Sequence, residues 1–523
     1  MKHWLIGSVA AAAVLAACGG GDKAQAPVEV GDVSLTKLQL DGGDASEAGD
    51  ALAALSLTAS GDGRISFAGS STDGADATFN DVSISVEEGE SPVTAGTLAF
   101  KGLDMTEEGA NFAQMTLSNI SIAPDGPDDG TVAISQIQLT NPSPELGAWV
   151  ASLMGQGDPA PFPALDKLSF DGLSLGDMSI DASNIDELDV FAIGAIDVRE
   201  LSSKGVGAMV IEGMNVSAND DGEAIKFSLG SMAMSGLSET MMQVFAKGFA
   251  SGADGADPEE LVEEIMSLVA TNPGDPGYDS FTMDALVFDG LGIAFDMPSM
   301  KASVTRDNQG RATRSLTEPF NMTLKADPEG ELGSQLAGPL GLMGYDELKM
   351  SLQGDVAMDP DADTMTYTSG RNYIALEDGF KMSFGGSFTG LTDYYKAIAE
   401  SGGDDEAVLA GLAAMSMNGF DLSFEDNSIV ERGFTAAAAM TGQDAEGLRV
   451  QATAGVAALP LLAGQAGVDP GLAAELGGAL SKFLDQSGTL SLKFDPETPL
   501  TAADFEDPSA LTKDRLGFSA ETK

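Results

Sequence analysis

Histidine and cysteine, on which much enzyme chemistry depends, occur once each in this chain of 523 residues. They are His3 and Cys18, and both lie in a short N-terminal stretch. Ser–His–Asp and Cys–His catalysis need a histidine beside the nucleophile, and most catalytic zinc sites need histidine ligands. The sequence therefore predicts none of these chemistries for the residues that follow Cys18.

Carboxylates are the abundant reactive groups that remain, with 81 Asp and Glu residues. A glycosidase uses two carboxyl groups, but sugar clefts usually also offer aromatic platforms, and Trp149 is the only tryptophan after residue 18. Ser34 and Lys37 have the Ser-x-x-Lys spacing of penicillin-binding enzymes, but no Ser-Asp-Asn or Lys-Thr-Gly partner follows. A carboxylate-based hydrolase stays as the least favoured alternative, and no catalytic residue is assigned.

Two patterns suggest metal ligands, and both have simpler explanations. Asp359, Asp361 and Asp363 alternate like the start of a calcium loop, but Thr364 stands where the turn glycine is needed and Gly370 where the bidentate glutamate is needed. The many methionines resemble soft-metal ligands, but they occupy apolar positions typical of a core or a groove lining. We predict weak binding of divalent cations at most, with no metal site and no cofactor.

The N-terminal stretch has the features of a secretory leader. Residues 4–17 form an apolar run that is too short to span a bilayer. It ends in Leu15-Ala16-Ala17-Cys18, which resembles the lipobox of bacterial lipoproteins. The resemblance implies a lipoprotein signal peptide over residues 1–17, a Cys18 that carries the lipid anchor, and a flexible tether over residues 18–30.

The residue after the cysteine bears on which membrane holds the anchor. Aspartate at that position retains lipoproteins in the inner membrane of enteric bacteria, but here the residue is Gly19. The resemblance therefore implies attachment to the cell envelope, on the periplasmic face of the outer membrane.

Composition limits the partners. The formal net charge is −55 and the isoelectric point is about 4.1, so the surface repels nucleic acid and attracts divalent cations and basic partners. Hydrophobic residues make up 43% of the chain and the mean hydropathy is +0.03, which favours a folded core over an acidic disordered polymer.

One apolar spacing recurs along the chain, and we call it the paired motif. It reads apolar-x-apolar-x-x-apolar-x-apolar, as in Leu173, Leu175, Met178 and Ile180. Further copies are Leu98/Phe100/Leu103/Met105, Met115/Leu117/Ile120/Ile122, Val132/Ile134/Ile137/Leu139, Met209/Ile211/Met214/Val216, Phe227/Leu229/Met232/Met234, Leu286/Phe288/Leu291/Ile293 and Met415/Met417/Phe420/Leu422. A spacing of two puts both members of a pair on one face of a strand, and a bulge in the linker returns the second pair to that face. The alternative is a tight hairpin at each linker.

Helical segments interrupt these motifs. Ser143 and Pro144 are typical of a helix start, and so are Asp257 and Asp469, each of which also precedes a proline. We therefore predict a β-dominated α+β fold: a strongly curved or bulged, repetitive sheet over residues 31–390 with amphipathic helices packed on it. A C-terminal α+β segment follows over residues 391–523.

The C-terminal segment resembles known sequences in the order of its predicted strands and helices. From Gly419 to Pro499 it runs from a strand through alanine-rich helices to a second strand and a Pro-x-x-Pro ending. This order resembles the C-terminal part of uncharacterised envelope proteins of alphaproteobacteria. The resemblance implies no activity.

These observations favour a lipid-anchored, non-enzymatic protein with a structural or partner-binding role in the envelope. The alternative is that a groove in the curved sheet binds or shuttles a lipid or another apolar ligand. Candidate ligand-binding residues are Leu173, Leu175, Met232 and Met234. A groove requires more apolar surface than the helices can cover, whereas closed packing requires the two to match.

Overall fold

A computed structural model describes most of the chain after residue 27. The described residues are 28–30, 33–35, 38–85, 91–123, 130–156, 160–181, 188–220, 223–238, 241, 275–330, 332–401, 411–466, 469–506 and 510–523. The predicted signal peptide, Cys18 and the helix predicted at Asp257 lie outside them. Within the described part of the chain, no helix is long and apolar enough to cross a membrane.

Strands dominate the described residues. The strands are β1 Val28–Val30, β2 Val33–Leu35, β3 Ile65–Ser66, β4 Gly69–Asp73, β5 Asp76–Ile84, β6 Val93–Lys101, β7 Asp104–Thr106, β8 Gly109–Asn111, β9 Gln114–Ile122, β10 Thr131–Thr140, β11 Phe170–Asp181, β12 Leu188–Ser202, β13 Gly205–Asp220, β14 Glu223–Ser238, β15 Ser280–Gly290, β16 Ile293–Arg306, β17 Ala312–Ala326, β18 Glu347–Asp359, β19 Thr364–Leu376, β20 Phe380–Thr389, β21 Ser416–Asp426, β22 Thr489–Phe494, β23 Leu500–Thr501 and β24 Phe518–Thr522. The helices are α1 Ala48–Ala54, α2 Pro144–Met154, α3 Gly333–Leu342, α4 Leu391–Ser401, α5 Ile429–Thr441, α6 Ala445–Ala457, α7 Leu459–Ala466, α8 Pro470–Gln486, α9 Ala502–Glu506 and α10 Lys513–Leu516, with a short 3₁₀ helix at Leu165–Lys167. The predicted β-dominated α+β class is confirmed.

The chain divides into two compact units. The first contains residues 1–261 and 277–287, and the second contains residues 262–276 and 288–523. The boundary predicted at residues 390/391 lies within the second unit and stays a prediction.

The first unit is built on an antiparallel sheet. Its strands follow the order β4-β5-β6-β9-β10-β11-β12-β13-β14, and β3 also pairs with β5. Two small hairpins, β1–β2 and β7–β8, lie outside this order. Nearly every strand pairs with its neighbour in sequence, so short connections suffice.

The strands of the second unit are also antiparallel, in the order β16-β17-β18-β19-β20-β21-β22-β24. The short β23 pairs with β21. Register shifts occur in five of these pairings, from β16–β17 through β20–β21. Bulges of this kind insert unpaired residues while the strands continue.

Helix starts follow the expected capping chemistry. The Ser143 side chain accepts a hydrogen bond from the Leu146 amide at the start of α2, and Asp469 caps α8 by accepting from the Gly471 amide. Proline follows both caps at the first helical position, where its missing N–H costs nothing. The helix starts predicted at Ser143 and Asp469 are therefore confirmed.

Five copies of the paired motif each lie within one continuous strand, namely β9, β10, β11, β13 and β14, and a sixth begins at Met415, one residue before β21. The copy at Leu286–Ile293 instead spans a hairpin. Its turn residues Leu291 and Gly292 both have positive φ, as the commonest two-residue hairpins require. The hairpin alternative therefore applies at that copy.

Candidate ligand-binding faces

The four predicted ligand-binding residues lie in two adjacent rows that cross the first sheet. Leu173 and Leu175 are on β11, and Met232 and Met234 are on β14. One row runs Leu173–Val198–Met209–Met234, and the other runs Leu175–Ile196–Ile211–Met232. Directly opposed residues on neighbouring strands share a face, so the four residues lie on the same face of the sheet.

The same face continues across eight strands as four apolar rows. From β5 to β14 these rows are Ala77–Phe100–Met115–Leu139–Leu173–Val198–Met209–Met234, Phe79–Leu98–Leu117–Ile137–Leu175–Ile196–Ile211–Met232, Val82–Ala95–Ile120–Ile134–Met178–Ile193–Met214–Leu229 and Ile84–Val93–Ile122–Val132–Ile180–Phe191–Val216–Phe227. Every position is apolar. We call this surface apolar face 1.

The linker of the paired motif keeps these rows in phase. Between the second and third rows, each strand contains one more residue than a regular strand would. This residue pairs with neither adjacent strand, and it lies at the same height along every strand of the face. Asp81, Asn119 and Gly213 occupy this level with φ of 52°, 53° and 66°. On β6, which lies between the strands of Asp81 and Asn119, Gly96 occupies this level. A Cβ at Gly96 would lie 3.1 Å from the side-chain amide nitrogen of Asn119. The sheet therefore repeats one irregularity from strand to strand.

Cover over apolar face 1 is uneven. Near β5 and β6 it packs against α1, α2 and the β7–β8 hairpin, and Phe100 is only 1% exposed. Trp149 of α2 belongs to this packed region and also meets Phe162 edge to face. At β13 and β14 the side chains of Met209, Ile211 and Met232 are only half-buried. The described helices therefore cover one end of the face more fully than the other.

The second unit also has an apolar face, which we call apolar face 2, and it is richer in aromatic residues. Its longest apolar row runs Phe320–Leu352–Ile374–Met382–Phe424–Leu490. Phe424 stacks on Phe380 and meets Phe483 of α8 edge to face. Towards β17 to β20 the cover is weaker, since Phe320 and Leu352 are half-buried and Ile374 is 37% exposed.

A largely buried ion pair lies on the opposite, polar face of the first sheet. Arg199 Nη2 donates to Asp197 Oδ1 at 2.7 Å, and the Ser174 hydroxyl donates to the same oxygen at 3.4 Å. Burial raises the pKa of Asp197 to about 6 against the favourable charge of Arg199, and Glu212 adds to the rise. This carboxylate therefore titrates near neutral pH.

A second buried carboxylate, Asp355 of β18, binds two arginines in the second unit. Arg314 makes a bidentate pair with it at 2.8 and 2.7 Å, and Arg371 donates to Asp355 Oδ2 at 3.0 Å. Asn372 bonds both backbone polar groups of Asp355. The hydrogen bonds from Arg314 hold the pKa of Asp355 below its usual value despite burial. The cluster lies where β17, β18 and β19 shift register, and it ties these strands together.

The acidic turn after β18 has its carboxylates engaged separately. Asp359 accepts from two backbone amides, Asp361 pairs with Arg311 at 2.7 Å, and Asp363 accepts from the Thr392 hydroxyl. A cavity of about 200 Å³ beside the turn is lined by residues that include Arg311, Met358 and Leu391. Among the described residues, no three His, Cys, Asp or Glu side chains are placed to share a metal ion.

Two of these features escape sequence reasoning, namely the Asp197–Arg199 pair and the Asp355 cluster. In both cases a few charged residues lie within strands, and the recognisable sequence pattern of those strands comes from their apolar residues. Position within the motif offers one signal, since Asp197 falls between the apolar Ile196 and Val198 and so belongs to the other face. Burial and partners depend on strand register, which one sequence does not provide.

Comparison with known proteins adds a single match. A family model described as “Uncharacterized protein” matches residues 373–523. No curated protein and no solved structure matches the chain. The C-terminal part is thus similar to an uncharacterised protein family, as predicted, whereas its likeness to envelope proteins of alphaproteobacteria stays a prediction.

Proposed function

We propose that this chain is a lipid-anchored protein of the cell envelope that binds the hydrocarbon part of a lipid, or another apolar ligand, on its two apolar faces. One observation carries the proposal. The apolar rows continue unbroken past the described helices, to strands where their side chains are only half-buried. Closed packing requires cover to match the apolar set, and the helices among the described residues cover only part of that set.

The energetics favour an occupant for such a surface. Burying apolar area releases about 25 cal/mol per Å², or about 0.8 kcal/mol per CH₂ group. A monomeric protein rarely leaves a large continuous apolar patch in water without a functional reason. A hydrocarbon chain laid across half-buried methionines and leucines supplies that burial without requiring a fixed partner shape.

The chemistry of the rows restricts the class of ligand. The four rows of apolar face 1 contain no hydrogen-bonding or charged side chain. A sugar, peptide or nucleotide bound there would lose its hydrogen bonds to water without replacement. We therefore propose a ligand that places hydrocarbon on the face and keeps any polar headgroup in water.

In the same proposal the sheet is strongly curved. An extra residue repeated at one level across the strands of apolar face 1 adds twist and bends those strands there. A bend shared by neighbouring strands makes the apolar face concave, and a concave face surrounds an acyl chain better than a flat one. The predicted lipid at Cys18 would hold this surface close to a membrane, the source of such ligands.

A partner-binding role is the second candidate, favoured by one feature of the C-terminal helices. Met440 and Leu461 are each 70% exposed, and Val450 is 58% exposed, on α5, α7 and α6 respectively. Exposed large apolar side chains on neighbouring helices are typical of a protein contact. Cross-linking of the native envelope, with Leu461→Asp as the variant, tests this role separately.

Native mass spectrometry combined with lipid extraction tests the ligand proposal. The sample is the form that begins at Gly19, exported to a bacterial periplasm and purified without detergent. We expect a stoichiometric lipid in the purified protein. An unliganded mass that does not change after incubation with envelope lipids would contradict ligand binding and leave the partner-binding role.

A further inference from the structure

Residues 38–43 form no helix or strand, and we call them the strap. Leu38 lies so close over Gly172 of β11 that a Cβ there would clash with its side chain. Asn141 holds the next part, because its Nδ2 donates to the Gln39 carbonyl at 2.7 Å and its Oδ1 accepts from the Asp41 amide at 3.1 Å. At the end of the strap, Gly43 packs closely on the backbone of Gly102, directly after β6.

The strap reaches the Asp197–Arg199 pair at Gly172. A Cβ at Gly172 would also lie 2.7 Å from Arg199 Nη1, so Leu38 and Arg199 share the space above that glycine. Just before the strap, Leu35 is buried against Val210, the residue paired with Asp197. One leucine thus packs on the strand partner of Asp197 and the other on Gly172, the strand partner of Arg199.

The enclosed pair is incompletely satisfied. Arg199 Nε is buried and has no hydrogen-bond partner among the described residues. An enclosed charge pair with an unmatched N–H destabilises the state that encloses it. Water would reach both side chains if the strap lifted, so the cost falls on the closed state alone.

We propose that the strap is releasable and that protonation of Asp197 controls its closure. The groups that face Asp197 are Arg199 on its own strand, Ser174 on β11 and Glu212 on β13. Neutralising Asp197 removes its desolvation cost and its repulsion with Glu212. The charge of Arg199 opposes this, but it is outweighed because burial is the largest influence on Asp197.

The sign of the pH dependence follows directly. Burial raises the pKa of Asp197 to about 6, and the proposal assigns part of that burial to the closed strap; a hydrated aspartate titrates near 3.9. The closed state therefore binds the proton more tightly, and closure is favoured as the pH falls through this window. A difference of two pKa units sets the largest change in the closed-to-open ratio at roughly 100-fold.

Hydrogen exchange of the Asp41 amide tests the mechanism in the full mature protein, held in detergent. After correction for intrinsic rates, we expect at least tenfold greater protection at pH 5 than at pH 8. Asp197→Asn should keep high protection at both pH values. The control Asp177→Asn changes an exposed carboxylate on the neighbouring strand and should behave as the unaltered protein does.

A further variant separates the strap from the titrating group. Leu38→Ala weakens the closing contact and leaves Asp197 intact, so protection should fall at pH 5 to the level seen at pH 8. Equal protection at both pH values in the unaltered protein would overturn the proposal. So would an Asp197→Asn protein that kept the pH dependence, or a Leu38→Ala protein fully protected at pH 5.

Discussion

Leu175 of β11 and Met232 of β14 lie in one cross-strand row, joined by Ile196 and Ile211, yet Leu175 is 0% exposed and Met232 is only half-buried. Both residues border the linker of their motif and share one row, so the difference in exposure lies in what covers them. Leu175 thus belongs to the packed core of apolar face 1, whereas Met232 stays partly accessible although Leu229 and Met234 of its own strand are buried. The proposed function depends on accessible positions such as Met232.

Leu175→Ala should reduce the free energy of unfolding by about 2–5 kcal/mol, because it leaves a cavity in a fully buried site. Urea unfolding followed by circular dichroism measures the change. Val190→Ala removes a side chain that is 45% exposed and should cost less than about 1 kcal/mol. Equal losses in the free energy of unfolding for the two variants would contradict the assignment of Leu175 to the core.

Met232→Lys should abolish the co-purified lipid while the protein stays folded, because the charge enters the half-buried part of apolar face 1. Ala224→Lys places the same charge on an exposed position of the same strand, on the other face. That control should keep its lipid. Loss of lipid in both variants would show that the added charge, and not its position on apolar face 1, prevents lipid binding.

Asp355→Asn should lower the free energy of unfolding by about 1–3 kcal/mol at pH 7, less than for a fully buried pair because both arginines reach solvent. The folded pKa of Asp355 is depressed, so its contribution is complete above the unfolded pKa and is lost as the pH falls through the folded value. The difference between variant and parent should therefore shrink below about pH 4. Unfolding curves at pH 3 and pH 7 measure it.

The matched control for this experiment is Asp361→Asn. Its side chain is 82% exposed although it pairs with Arg311. Exposed pairs contribute little, so a change under about 0.5 kcal/mol is expected. A larger effect at Asp361 than at Asp355 would contradict the assigned role of the buried cluster.

Asp469→Ala should destabilise the second unit by about 1–2 kcal/mol, since it removes the cap of α8. The same carboxylate also accepts from the Lys513 amide at 2.6 Å, which ties α10 to this helix start. Asp485→Ala, at the exposed far end of α8, should be neutral or slightly stabilising because it removes a negative charge near the helix C-terminus. Thermal unfolding of both variants distinguishes a cap from a general loss of charge.

Cys18→Ser should release the protein from the membrane fraction and abolish incorporation of a labelled fatty acid, if the lipobox resemblance holds. Labelling followed by membrane fractionation measures both effects. Continued labelling in the variant would show that another residue carries the lipid.

The paired motif made much of the fold predictable. Its two-residue spacing placed Leu173 and Leu175 on one face, and its glycine-rich linker indicated an irregular residue within a strand. Helix starts at Ser143 and Asp469 were equally readable, because caps act locally. At Leu291 and Gly292 the same spacing forms a hairpin, because two consecutive residues with positive φ reverse the chain. The sequence alone did not distinguish this copy from the copies that lie within one strand.

The less predictable features depend on contacts between distant residues. Met209 and Met234 oppose each other in one cross-strand row, yet only Met234 is fully buried. Asp197 and Asp355 look like any of the 81 acidic residues until register brings arginines beside them. Burial of these groups follows from strand order and helix placement, neither of which is a local property.

Site-specific photocross-linking tests the central claim most directly. A photoreactive phenylalanine analogue replaces Met232 on apolar face 1 or Ala224 on the opposite face, and the protein is irradiated in living cells. We expect a lipid adduct by mass spectrometry at position 232 and none at position 224. Adducts at both positions, or at neither while the protein is folded, would contradict the claim that this face holds an apolar ligand.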